Sequence, residues 1–212
     1  AWYPHKLGQQ VAILDTHPQA AMVIGASTYW RSWSGQSDSA DVVVPIGAEA
    51  DTLIAPPRLM TTLYPLGKGA APPPSDLLLR RDVVQAVGGF EASFRGPLML
   101  FEDQAFLSKI YRRYPVYVAS ACWDRYRQRA DSIVATNRAA GRYWQIRSHF
   151  LHWLQQDLAR TGGAPPTVQH VLSRALRDAR RQSVLARLAG AARRVLPAPL
   201  YQRLRQRWHA MR

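Results

Sequence analysis

The chain has 212 residues, with 28 Lys/Arg against 14 Asp/Glu and a formal net charge of +14. That length supports one good hydrophobic core with an appended piece, and the lone Cys122 excludes an intrachain disulfide and fits a reducing compartment. No run approaches the roughly 20 apolar residues of a membrane-spanning helix, and residues 1–6 lack the basic start and apolar run of a signal peptide.

The charge is unevenly spread. Residues 1–135 hold 13 basic and 12 acidic side chains, a net of +1, whereas residues 136–212 hold 15 Arg and 2 Asp, a net of +13. The front is an ordinary globular composition, and the tail is a polycation suited to an anionic partner. The first residues carry no Met and already read as the middle of a fold, so the sequence is taken as a fragment or trimmed piece.

In chain order, Leu7, Val11 and Leu14 recur at helical spacing and predict a helix over 4–17, with Pro4 in its first turn. Residues 20–26 form a short apolar run, expected as a buried strand, and the small polar residues of 31–41 predict a loop. A strand over 42–45 and a short helix over 57–64 follow. Residues 67–75, GKGAAPPPS, exclude regular structure and read as a connector or a mobile lid. A strand is expected over 76–79 and a short helix over 81–87, stopped by Gly88. Residues 102–113 predict a helix with an apolar stripe at Ala105, Phe106 and Ile110, joined by Lys109. Two strands over 116–120 and 122–127 come next. From Ser132 the pattern is helical, with breaks at 162–166 and 197–199.

The densest chemistry lies in 88–103, GGFEASFRGPLMLFED. Asp103 falls in the first turn of a predicted helix, where unpaired amides and the helix dipole favour an ionised carboxylate. A carboxylate held there can accept a proton from a bound hydroxyl if it lines a cleft. The plain alternative is that Glu102 and Asp103 are helix-start acids on a solvated face.

The series DLLLRRDVVQAVGGFEASF, FEDQAF, YPVYV and WDRYRQRADS resembles the second half of family 2 glycosyltransferases of the GT-A fold. The start, WYPHKLGQQVAILDTHPQAAMVIG, is similar to the family segment that follows the metal-binding Asp-x-Asp, and the likeness covers about residues 2–135. It implies an α/β fold, a partial GT-A-like mixed sheet with flanking helices over 1–135, followed by a helical Arg-rich extension over 136–212. It implies transfer of a sugar from a nucleotide-sugar donor to a hydroxyl of a glycan or lipid-linked acceptor, as in surface polysaccharide synthesis. Asp103 would be the catalytic base and Glu102 a supporting residue. Ser75 and Asp76 fall where the family places part of its acceptor wall unless they are only a turn and strand start, and Trp2 and Tyr3 would edge the donor pocket unless they only pack.

The chain departs from the family in two places. Tyr126-Arg127-Gln128-Arg129 stands where the family often has a Tyr-Arg-x-His segment. An arginine cannot replace imidazole as a metal ligand, although Arg127 and Arg129 can neutralise a leaving diphosphate. The divalent metal of the family, Mg or Mn, is therefore expected in the full-length parent with ligands mostly outside this chain. No Asp-x-Asp and no complete phosphate-binding loop occurs in the 212 residues, so the fragment alone is expected to be inactive. His149 and His152 share a predicted helix face without partners and read as packing or surface.

The tail can be a basic amphipathic helix on an anionic membrane, or a helical hairpin packed on the front with its arginines in solvent. Nucleic acid is disfavoured, since no recognisable binding module accompanies the arginines. A cytoplasmic protein, peripheral on the inner membrane face, is the location these features imply. The competing function class is a non-catalytic basic module that docks through its tail.

Overall fold

The computed structural model describes residues 1–35 and 39–195, and the expected break at 197–199 lies outside them. Helix α1 (Lys6–Thr16) leads into strand β1 (Met22–Trp30) and a 3-10 turn (Ser32–Ser34). Strands β2 (Val42–Val44) and β3 (Thr52–Ile54), helix α2 (Arg58–Thr62), strand β4 (Leu78–Leu79) and helix α3 (Arg81–Ala86) follow. A 3-10 segment (Gly96–Phe101) runs directly into α4 (Glu102–Tyr111), and then come β5 (Val116–Arg127), α5 (Ile133–Ala139), α6 (Tyr143–Arg160) and α7 (Pro166–Val195).

The fold is α/β. The five strands form one mixed sheet, ordered β2-β1-β5-β3, with β4 also paired to β1. Only β1 and β5 run parallel; the other pairings are antiparallel. Since β5 occupies one edge of β1, β4 and β2 share the other, pairing at Met22–Val23 and at Ser27–Tyr29.

Two expectations change, and of the two readings of 67–75 the connector stands. The two strands over 116–120 and 122–127 are one strand, because a register shift between Ile24↔Val118 and Ala26↔Cys122 absorbs the small residues Ala119–Ala121 as a bulge. The strand over 76–79 is reduced to Leu78–Leu79, and Asp76 lies in the preceding turn. The segment 67–75 is a packed connector: Gly69 N–H donates to Thr62 O, and Gly47 N–H to Ala70 O. A side chain at Gly69 would meet the Gly47 carbonyl oxygen at 2.4 Å, so the two backbones touch only because both positions are glycine.

The faces of α1 also differ from their periodicity. Leu7 and Val11 are each 47% exposed, while Lys6, Gln10 and Leu14 are buried. Trp123 supplies part of the reason, since its fully buried indole N–H donates to Gln9 Oε1 at 2.7 Å. The polar pocket described below supplies the rest. In α4 every residue from Gln104 to Tyr111 is buried, not a single stripe.

On one face of the sheet α1 covers Val23, Ala119 and Trp123. On the other a larger core joins Ile24, Val116 and Val118 to α4, α6 and α7. Phe94, Phe101, Phe150 and Trp153 pack there, stacked, tilted or edge-on, with centroids 5.3–6.4 Å apart. A nearly buried ion pair, Arg112 to Asp157 at 2.7 Å, clasps α4 to α6. The arginine-rich segment thus begins as a packed helical pair, with Val168, Leu172, Ala175 and Ala179 of α7 turned into the core.

Candidate functional site

The glycine turn before α4 is built around a lysine. Gly88 and Gly89 have φ of 73° and 62°, a conformation that suits glycine and lets the chain reverse after α3. The buried Lys109 ammonium donates to Val87 O at 3.2 Å and to Gly89 O at 3.0 Å, and pairs with the Glu91 carboxylate. Phe90, 58% exposed, stacks on Phe106 at 4.5 Å. The Gly-Gly-Phe-Glu run is therefore tied to α4 through Lys109 and Phe106.

That start carries Glu102 and Asp103. Asp103 Oδ1 accepts from the Gln104 N–H at 2.7 Å and Oδ2 from the Gln104 amide at 3.2 Å. Burial raises its proton affinity above the ordinary carboxylate range, against the lowering effect of those hydrogen bonds. Glu102 is raised too, by burial and then by the charge of Asp103, and its Oε2 is buried with no hydrogen-bond partner. Both carboxyls are thus poised nearer neutrality than a solvated helix-start acid.

A second group of acids lies beneath α1. Asp76 and Asp124 are fully buried, as is Lys6 at 1% exposure. The Lys6 ammonium donates to Asp76 O at 2.9 Å and to Gln10 Oε1, and Gln10 Nε2 donates to Asp76 O at 2.7 Å. Asp76 Oδ2 accepts from the Gly25 N–H at 2.6 Å, in the gap on the edge of β1 between β4 and β2. A side chain at Gly25 would meet Ala121 O at 2.6 Å and the Trp123 ring at 2.7 Å. Asp124 Oδ2 accepts from the Ser75 hydroxyl. Burial pushes Asp76 up to about 7, helped by the Asp124 charge and opposed by the Gly25 N–H and Lys6. Burial also lowers the affinity of Lys6 for its proton.

The two groups share neighbours. The charges of Asp103 and Asp76 both raise the proton affinity of the Tyr111 hydroxyl, after its complete burial, and that hydroxyl has no hydrogen-bond partner. The charges of Asp103 and Asp124 likewise raise Tyr126, after burial and the influence of Tyr29. Ser27, the register partner of Asp124, holds another buried oxygen without a partner.

The remaining sequence-predicted residues take distinct places. Residues 1–3 pair with the end of β5: Tyr3 N–H donates to Trp123 O at 2.9 Å, and Arg125 N–H to Ala1 O at 2.7 Å. Trp2 is 56% exposed, donates its indole N–H to Ser75 O at 2.8 Å, and lies 5.1 Å under the Lys6 ammonium. The Tyr3 hydroxyl meets Thr28 at 3.3 Å and accepts from Arg125 Nε at 3.2 Å. Arg127 stacks on Trp30 and Trp33 at 5.3 and 5.7 Å, forming with Arg125 an exposed aromatic–guanidinium row. Arg129 is exposed, 3.6 Å from Asp131, and lines an open groove with Trp33 and Gln128. His149 packs its edge on Phe94, and His152 meets Ser148 O at 2.7 Å.

Sequence reasoning passed over Lys6, Gln10 and Asp124. The one available signal was the Lys6–Gln10 spacing of a single helical face, set against the apolar Leu7–Val11 face. The described residues bring together no group of three His, Cys, Asp or Glu side chains able to hold a metal. Asp76 and Asp124 share their pocket with an ammonium, which repels a cation. The described donors of this chain thus form no site for Mg or Mn, whose ligands the resemblance expects mostly elsewhere. Among the described residues no helix is long and apolar enough to cross a membrane.

No family model matches the chain, and neither curated proteins nor solved structures gave a match.

Proposed function

We propose that this chain forms the acceptor side of a nucleotide-sugar-dependent glycosyltransferase, with Asp103 as the base for the acceptor hydroxyl. The observation that supports this best is the Asp103 carboxylate itself, in the first turn of α4 and raised in proton affinity by burial. A base whose affinity lies closer to the working pH combines the ionised form with a useful pull on the proton. Asp103 takes the proton of the acceptor hydroxyl as that oxygen bonds to the anomeric carbon, and the nucleotide leaves with the bonding pair. Glu102 supports the acceptor or the loop.

Asp76 and Ser75 act on this reading through position. Asp76 is inaccessible to solvent and holds the turn against Gly25, and Ser75 holds Asp124 and the Trp2 indole. Trp2, Tyr3 and the Arg125–Arg127 row offer the exposed stacking and cationic groups that a sugar or diphosphate would meet. Donor binding and the family metal belong to a nucleotide-binding half that the resemblance expects ahead of Ala1. The acceptor is a glycan or lipid-linked hydroxyl compound, as in surface polysaccharide synthesis, with the enzyme on the cytoplasmic side.

The test is nucleotide release by the full-length protein, over a panel of nucleotide sugars with and without hydroxyl acceptors. Acceptor-dependent release is expected, falling about 10²–10⁴-fold in Asp103→Asn. Release that Asp103→Asn leaves above about a tenth of the native rate would place the base elsewhere.

A further inference from the structure

Helix α7 carries two stripes of the same spacing. Val168, Leu172, Ala175 and Ala179 recur at four, three and four residues, and all are buried in the core. Arg177, Arg181, Val184 and Leu188 repeat that spacing from a start nine residues later. At 3.6 residues per turn nine residues make two and a half turns, so the second stripe lies on the opposite side. Arg177 and Arg181 are exposed, and Val184 and Leu188 are 50% and 56% exposed.

Beside this stripe α6 and α7 bound an open groove of about 1320 Å³. Arg177, Arg180 and Arg187 line it from α7, Trp144 and His152 from α6, and no Asp or Glu contributes. Asp178 is the one acid in the sequence of α7.

Apolar side chains one turn apart among arginines suit a surface that is both anionic and apolar at shallow depth. The guanidinium groups can stay at phosphate level while their stems and the Val184 and Leu188 side chains enter the acyl boundary. A nucleic acid would use the arginines and gain nothing from Val184 and Leu188. A dry protein interface would strand the charges. We infer that the outer face of α7, together with the α6–α7 groove, docks on an anionic lipid surface, the groove taking headgroup phosphates. The inference is independent of the role of Asp103.

Flotation with phosphatidylcholine vesicles, with and without phosphatidylglycerol, tests it on the whole chain. Binding should require phosphatidylglycerol and weaken as salt rises. Val184→Ser with Leu188→Ser should weaken partitioning by about tenfold or more, and Arg177→Gln with Arg181→Gln by a similar factor. Both pairs are exposed, so helix content by circular dichroism should stay native. If the serine pair lost helix, the single Leu188→Ser would be read instead, with a loss of roughly threefold. Unchanged partitioning of the serine variant, or equal binding to pure phosphatidylcholine, overturns the inference. A dimer abolished by the same variant would assign the face to a second copy. Duplex oligonucleotide binding that the variant leaves intact, without vesicle binding, would assign the arginines to nucleic acid.

Discussion

Asp103 and Asp76 are both buried carboxyls with raised proton affinity, and they differ in what holds them. Around Asp103, among the described residues, the hydrogen bonds are local: they come from its neighbour Gln104, main chain and side chain, and from its own N–H. Around Asp76 the carboxylate and backbone carbonyl are met by Gly25, Lys6 and Gln10, from two elements distant in sequence. The first arrangement engages the carboxylate locally, within the first turn of α4. The second ties a turn to a helix and a strand. A raised proton affinity alone therefore does not mark a catalytic acid; the tally of partners separates the two cases.

The sharpest way to break this contrast is to remove the cation from the second group. Lys6→Met should cost about 3–5 kcal/mol in urea unfolding at pH 8, because it leaves buried carboxylates without their counter-charge. Glu102→Gln, at the mouth of α4, should change stability by less than about 1 kcal/mol. Equal losses in the two variants would erase the distinction.

The pH dependence sharpens it further. Asp76 titrates at about 7 in the fold against an ordinary 3.8. Between those values the unfolded chain has released the proton and the native chain keeps it, so stability falls as pH rises through that window. Above about 7 both states are ionised and the loss is complete. Asp76→Asn should flatten the fall in denaturant midpoint between pH 4 and pH 7. Asp103 and Glu102 are raised in the same direction, so a smaller slope of the same sign should remain. An unchanged slope in Asp76→Asn would show that the pocket does not hold its proton.

The smallest effect concerns the face of α1. Leu7→Ser should fall within about 0.5 kcal/mol of the native chain, while Leu14→Ala should cost about 2–5 kcal/mol. A large loss at Leu7 would restore the face that periodicity suggested.

That reversal shows where the sequence stops being legible. Periodicity placed α1 within a few residues, yet the partners that bury Lys6 and Gln10 lie at Asp76, about a third of the chain away. A local apolar pattern has no access to them. Strand β3 was missed because Thr52–Ile54 offers three residues between a turn and a proline pair. Strand β5 looked divided because Ala121 imitates a break, whereas a bulge over Ala119–Ala121 carries it. The Gly-Gly turn, the start of α4 and the acid pair were readable, since first-turn acids and a helix-stopping glycine are local signals. Their clamp, Lys109, was read only as part of a stripe, because its three oxygen partners precede it by about five to six turns' worth of chain.

The central claim is that Asp103, in the first turn of α4, acts as the proposed base, whereas Asp76, in the turn beneath α1, holds structure. Asp103→Asn and Asp76→Asn, each in the full-length protein at equal folded fraction, test it when sugar transfer and unfolding are measured on the same samples. The account predicts that Asp103→Asn loses about 10²–10⁴ in transfer rate with nearly native stability and donor binding, while Asp76→Asn keeps transfer within a few-fold and alters the pH profile of unfolding. Transfer that survives Asp103→Asn above about a tenth of the native rate, or that collapses in folded Asp76→Asn, would contradict it.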